Sequence, residues 1–225
     1  MDDYLVASLG KIIQDIVMST FERPWDRFFK EKITRMFSEK SSVVDIGGGL
    51  RINPHKNNRY DSSRAWIKPL AEKVDYKILD KVPDFSPDIV GDIHDLPLED
   101  NSQDALICIA VLEHVEEPHV AMAEMYRTLK PGGYLFIYVP FLYYYHAEKG
   151  YYGDFWRFTK DSLKYLSRDF STCEISSVRG AVETLIRLSP LGRWRLFCTI
   201  GFFIDRVTGK LTSNQVSGYN VFLIK

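Results

Sequence analysis

The chain has 225 residues, of which 45% are hydrophobic and 26% charged, and its net charge is −1. This is enough apolar length for a substantial core, and the near-neutral balance argues against a surface that coats nucleic acid. The acidic start "MDD" lacks the basic region of a secretory signal, and no apolar run approaches the ~20 residues of a membrane span; the three cysteines (Cys108, Cys173, Cys198) are odd in number without a CxxC, as expected of reduced thiols in a cytoplasmic protein.

In chain order, Leu5, Leu9, Ile12, Ile13, Ile16 and Val17 fall at helical spacing and predict an amphipathic helix over 1–22. Pro24 can open a second helix, with Trp25, Phe28, Phe29, Ile33 and Met36 on one face, completing an N-terminal helical extension over 1–40. The pattern then changes. "SVVDI" (42–46), "YKIL" (76–79), "DIV" (88–90), "ALICIA" (105–110) and "YLFIYV" (134–139) are short apolar runs between turn residues, suited to strands buried on both faces of a parallel sheet. Met122, Met125, Tyr126 and Leu129 mark one face of a helix that Pro131, Gly132 and Gly133 should end. Thr159 can cap a helix through Leu166, and "CEISSV" (173–178) and "YNVFLI" (219–224) predict two last strands around a helical insertion over 181–212. The alternation predicts one α/β domain over 1–225, built on a doubly wound, mostly parallel seven-stranded sheet.

The first strand runs into three glycines, "VVDIGGG". A dinucleotide fingerprint needs G-x-G-x-x-G, but the third position is Ile52, and no strand-end acid precedes Asp80; no Gly-Lys-Ser/Thr follows for a nucleotide-triphosphate loop. Acids at strand ends suit ribose hydroxyls and an amino group better than a pyrophosphate. "VVDIGGG" instead resembles the D-x-G-x-G motif of class I S-adenosylmethionine-dependent methyltransferases. The resemblance continues in order through "YKILD", "VGDIHDLPLEDNSQDALICIAVLEHVEEP" and "LKPGGYLFIYVPF". It implies a Rossmann-like fold and S-adenosylmethionine as cofactor, held by Asp45, Gly47, Gly48, Gly49, Asp80, Asp92, Ile93 and Glu113. Asp80 would then accept from the ribose hydroxyls, Asp92 face the adenine amino group and Ile93 pack on the purine. Asp45 has an alternative role, bracing the glycine turn. The long polar link after Gly49 departs from the family pattern and puts the first crossover helix near Ser63–Lys73.

Beyond the fifth strand, "PFLYYYHAEKGYYGDFWRFT" resembles a bacterial subgroup of these enzymes linked with cell-surface glycan biosynthesis. That resemblance implies a small-molecule acceptor, a sugar or glycan-precursor hydroxyl. His146 is the natural base for such a hydroxyl, with Asp154 orienting it and Arg157 binding an anionic group or pairing with Asp154. Asp154 and Arg157 as a purely structural pair is the competing reading. Tyr143, Tyr144, Tyr145, Tyr151 and Tyr152 form either an exposed aromatic loop or ring faces for a sulfonium or a sugar. "LEHV" and "LKPGG" also resemble the quinone-ring branch, and a non-catalytic cofactor-binding module is a third possibility. No HxxxH or HExxH spacing occurs, so no metal is expected. Arg187, Arg193, Arg195 and Arg206 alternate with apolar side chains over 186–207, a segment that can pack, close the pocket, join a second copy or touch an anionic membrane surface.

Overall fold

The structure is a computed structural model that describes residues 22–53 and 60–225. The helix predicted over 1–22 therefore falls outside the described residues, except for Glu22. Helix α1 (Pro24–Glu39) starts at its proline and buries Trp25, Ile33, Met36 and Phe37. Strand β1 (Ser42–Ile46) follows, then a 3-10 turn (Ser62–Ile67) running into the short α2 (Lys68–Ala71), where the first crossover was expected. Strands β2 (Asp75–Asp80), β3 (Ile89–Val90) and β4 (Gln103–Ile109) precede α3 (Pro118–Thr128) and β5 (Leu129–Pro140). Helix α4 (Lys160–Leu166), strand β6 (Thr172–Val178), helices α5 (Ala181–Leu188) and α6 (Arg195–Val207), and strand β7 (Gly218–Ile224) complete the order.

The seven strands form one sheet in the order β3-β2-β1-β4-β5-β7-β6, parallel except for β7, which runs antiparallel to both neighbours. Alternating side chains go to opposite faces, and both faces are covered. Val43, Ala105, Ile107 and Phe136 pack beneath α1 with Ile33, Met36 and Phe37. Val44, Leu106, Cys108 and Ile137 pack beneath α3 and α4 with Met122, Met125 and Leu163. This is the doubly wound, mostly parallel seven-stranded sheet that the sequence predicts. The strand order reverses direction between β1 and β4, so the ligand crevice of such a sheet lies beyond the carboxyl ends of these two strands.

One expectation is corrected. Pro131, Gly132 and Gly133 do not themselves end the helix, because α3 stops at Thr128 and β5 begins at Leu129, ahead of the apolar run 134–139. The segment pairs with the carboxyl end of the chain: Gly132 N donates to Lys225 O and Lys225 N donates to Gly133 O, each at 3.0 Å. Of the roles left open for the insertion over 181–212, packing is the one that its contacts display. Asp205 of α6, fully buried, accepts from Val182 N and Glu183 N at 2.8 Å and thereby caps α5. Glu183 in turn holds Arg187 at 2.9 Å and Arg23 at 3.2 Å, tying the helix pair to the start of α1. Leu196, Ile200, Ile204 and Val207 of α6 remain exposed. Among the described residues, no helix is long and apolar enough to cross a membrane.

Candidate active site

Two cavities open at the carboxyl ends of the strands. The first, about 510 Å³, is lined by the glycine turn (Gly47–Gly49), the end of β2 (Asp80, Lys81), Asp92–His94, the end of β4 (Ile109–Val111) and His114. Its outer wall is Phe85, Tyr151, Tyr152 and Phe155. Tyr151 stacks on Phe85 with ring centroids 5.3 Å apart. The second, about 620 Å³, takes Trp25, Phe29 and Lys30 from α1, Arg64 and Trp66 from the 3-10 turn, and Tyr138, Tyr143, Arg179 and Asn220 from the far side of the sheet. The cavities share Gly49, Arg51, Ile109 and Ala110. No residue of 181–212 lines either.

The glycine turn is shaped by what lies behind it. Gly47 sits at φ +76 and donates to Leu79 O at 2.7 Å, and a Cβ there would fall 2.4 Å from Val111 Cγ2. A Cβ on Gly49 would meet Ile109 at 2.6 Å. Both positions need the smallest residue, one for its left-handed backbone and both for close approach. Asp45 is fully buried and lines neither cavity. Its carboxylate accepts from Gly49 N at 3.1 Å, Leu50 N at 3.0 Å and the Tyr76 hydroxyl at 2.8 Å. The expected direct cofactor contact of Asp45 is thus corrected to the alternative: it braces the turn from within. Burial lifts its carboxyl to about 6, against the pull of these donors.

Asp80 stands at the end of β2 on the first cavity, where burial raises its carboxyl, opposed by the Val82 N–H at 2.9 Å. Asp92 accepts from Lys81 Nζ at 2.7 Å through Oδ2 and from His94 N at 3.0 Å through Oδ1. Burial pushes Asp92 up, but the His94 N–H and the Lys81 ammonium prevail and hold it at about 2. Ile93 is buried against the same cavity.

Glu113, expected with the cofactor residues, faces elsewhere. The 3-10 turn after β4 (Leu112–His114) directs His114 to the first cavity and rolls the Glu113 side chain inward, leaving it 1% exposed. The Glu113 carbonyl accepts from Phe155 N at 2.8 Å and Trp156 N at 3.2 Å, which fastens the aromatic loop to this turn. Neither carboxylate oxygen has a hydrogen-bond partner. His146 Nε2 lies 3.7 Å and His114 Nε2 3.9 Å from Oε1, beyond hydrogen-bond range.

The loop residues expected to be catalytic are also rearranged. Asp154 is completely buried, with Arg157 in a two-pronged pair and the His146 N–H at 2.8 Å, and Arg157 above all holds its carboxyl near 2. Arg157 also donates to Tyr144 O at 2.6 Å and Trp156 O at 2.8 Å. Asp154 and Arg157 are thus paired within the loop and neither lines a cavity, while Asp154 Oδ2 also lies 3.2 Å from His146 Nδ1, as an orienting role would require. His146 lines neither cavity. Its Nδ1 faces Tyr144 O at 2.9 Å, and the carboxylate of Glu113 raises its pKa while burial opposes. Tyr151 and Tyr152 face the first cavity and Tyr143 the second, whereas Tyr145 is exposed and lines neither. Sequence reasoning missed the second cavity and Phe85 on the wall of the first. Trp25 and Phe29 were visible only as one face of a helix.

Residues 60–137 match the methyltransferase domain family. A demethylmenaquinone methyltransferase of Renibacterium salmoninarum is 30% identical over 132 residues, covering 59% of this chain and 54% of that protein. The chain spans about half the length of that relative. Among solved structures, a methyltransferase from Archaeoglobus fulgidus described as SAM dependent superposes with TM-score 0.55 at 14% identity, covering 88% of this chain and 94% of the other. A complex of a Haloferax volcanii methyltransferase activator with a methyltransferase gives TM-score 0.55 at 20% identity, covering 87% and 86%. The chain thus has the methyltransferase fold, and the segment matched to the methyltransferase domain family supplies β2, β4 and most of the acid-lined first cavity.

Proposed function

We infer that the chain is an S-adenosylmethionine-dependent methyltransferase acting on a small molecule, with the first cavity as its cofactor cleft. The observation that carries this reading is the convergence of the Gly47–Gly49 turn, Asp80 and Asp92–Ile93 on one cleft at the switch between β1 and β4. The fit follows from the donor and acceptor chemistry. Asp80 offers a carboxylate to ribose hydroxyls, and Asp92 retains acceptor capacity on Oδ2 for an amino group, with Ile93 as the apolar floor beneath a purine. Asp80, Glu116 and Glu148 on the lining disfavour a diphosphate and so argue against NAD as the natural occupant. The cofactor supplies an electrophilic methyl group on a sulfonium. The chain supplies alignment and exclusion of water, an effect that can reach roughly 7–11 kcal/mol.

The second cavity is the acceptor site in this reading. Trp25, Trp66 and Tyr143 provide ring faces, while Lys30, Arg51, Arg64 and Arg179, with Asp26 and Asp61, provide polar groups. Rings mixed with charges suit a hydroxylated, sugar-like acceptor, because a sugar has apolar faces and many hydroxyls to pair. A quinone-type ring is the second reading, favoured by the named relative, and would call for a more apolar lining. The test is methyl-labelled S-adenosylmethionine incubated with sugar nucleotides, glycan precursors and demethylated quinones. Label on a sugar supports the first reading and label on a quinone the second. Calorimetry that detects NAD but neither S-adenosylmethionine nor its demethylated product would end both.

A further inference from the structure

Glu113, His114 and His146 come from two loops and meet at one point. Their nearest ligand atoms all lie within 4.8 Å of one another. Two features of this cluster remain unexplained by the cofactor cleft. A carboxylate that is 1% exposed has no hydrogen bond to either oxygen, and burying such a charge without a cation costs several kcal/mol. Both imidazoles are also turned the same way. His114 Nδ1 faces Gly153 O at 2.7 Å and His146 Nδ1 faces Tyr144 O at 2.9 Å. A carbonyl can only accept, so each Nδ1 carries a proton, and in the neutral ring each Nε2 then presents its lone pair on the side of Glu113. Carbonyls that fix the tautomer and orientation of imidazoles in this way are the outer support of histidine metal ligands.

The spacing points the same way. Two ligands at about 2.0–2.2 Å from a tetrahedral ion lie about 3.4 Å apart. The observed 3.7 and 3.9 Å are too long for hydrogen bonds and only slightly wider than that separation. We propose that Glu113, His114 and His146 bind one first-row divalent transition ion. Two imidazoles and one carboxylate suit zinc, cobalt or iron(II) more than magnesium or calcium, and three protein ligands leave a position open. The His114 ring lines the cofactor cleft, and the His146 ring packs on Tyr143 of the second cavity with centroids 5.2 Å apart. The ion therefore sits where the two cavities meet, and its open position takes an oxygen of the acceptor. Only this last role rests on the methyl-transfer reading; the binding site itself does not.

The experiment titrates the metal-stripped full chain with Co²⁺, followed by its visible absorption and by calorimetry, and then displaces it with Zn²⁺. One equivalent should bind, and Glu113→Gln and His146→Ala should each weaken it by more than about 100-fold, since even outer-shell changes cost about 10–100-fold. His119→Ala, on an exposed position away from the cluster, should bind normally. Circular dichroism and S-adenosylmethionine calorimetry on the same samples verify the fold and test the cofactor reading separately. If Glu113→Gln does not fold, the exposed-loop variant His146→Ala decides. No binding by the unaltered chain, or binding unchanged in the folded His146→Ala protein, overturns the proposal.

Discussion

The Tyr76 hydroxyl donates to Asp45 Oδ2 at 2.8 Å, so a residue of β2 steadies the turn that follows β1. Removing this donor in Tyr76→Phe leaves a buried carboxylate with one partner fewer. Unfolding in urea at pH 7.5 should show a loss of about 1.5–3 kcal/mol, the range for hydrogen bonds to charged groups.

The same carboxylate sets a pH dependence. Asp45 sits at about 6 when folded, above its ordinary value of 3.8, because it is buried. Between these values the native chain holds a proton that the unfolded chain has released. Its contribution is therefore complete below about 4 and is lost as pH rises through 6. Asp45→Asn should abolish a rise in unfolding free energy, on the order of 2–3 kcal/mol, that the unaltered chain shows as pH is lowered from 6.5 to 4. Parallel urea titrations of the two proteins across that window check it.

Gly47→Ala places a Cβ on backbone at φ +76 and against Val111 Cγ2. The expected cost is roughly 1–3 kcal/mol in stability, with weaker S-adenosylmethionine binding as the turn is displaced. Adding Val111→Ala should recover only part of both, because the clash is relieved and the backbone strain is not.

Asp80→Ala removes a carboxylate that faces the first cavity. In the ribose role, its loss should weaken S-adenosylmethionine by roughly 1.5–3 kcal/mol, or about 10- to 150-fold, in calorimetry on folded protein. Unchanged affinity would assign the ribose to another residue.

Arg157→Met removes the charged partner of Asp154 but leaves it the His146 N–H, and should lower stability by about 1.5–3 kcal/mol, read from chemical unfolding. Arg157→Lys keeps the charge but loses the two-pronged geometry, so its loss should be smaller. Cofactor affinity should hold in both variants if the first cavity binds it, because Arg157 does not line that cavity.

The strands were legible in the sequence because a sheet covered on both faces leaves uninterrupted apolar runs, as "SVVDI" and "ALICIA" show. The Thr159 cap was legible for an equally local reason: its hydroxyl accepts from Ser162 N at 3.1 Å, within one turn. Asp80 and Asp92 needed only their place at strand ends. Asp45 could not be oriented in this way, because its direction depends on Tyr76, which reaches it from the neighbouring strand. Glu113 and His146 converge only through the loop that Phe155 and Trp156 fasten to the Glu113 carbonyl, a contact with no local signature. The start of β5 was misplaced for a similar reason, since Leu129 pairs with Gln103 and Gly132–Gly133 with Lys225, partners distant in sequence.

The second cavity takes Trp25 and Phe29 from α1, Arg179 from beyond β6 and Asn220 from β7, all outside the segment matched to the family. In the proposed reading, with the cofactor in the first cavity and the acceptor in the second, part of the acceptor lining lies on stretches of the chain apart from Asp80 and Asp92. Substitutions in α1 and at Arg179 would then change the molecule that is modified while the turn at Gly47 and the acids at Asp80 and Asp92 stay as they are. The same separation makes this scaffold open to grafting: exchanging α1 and residues 178–179 with those of a relative should move substrate choice across, with donor use retained.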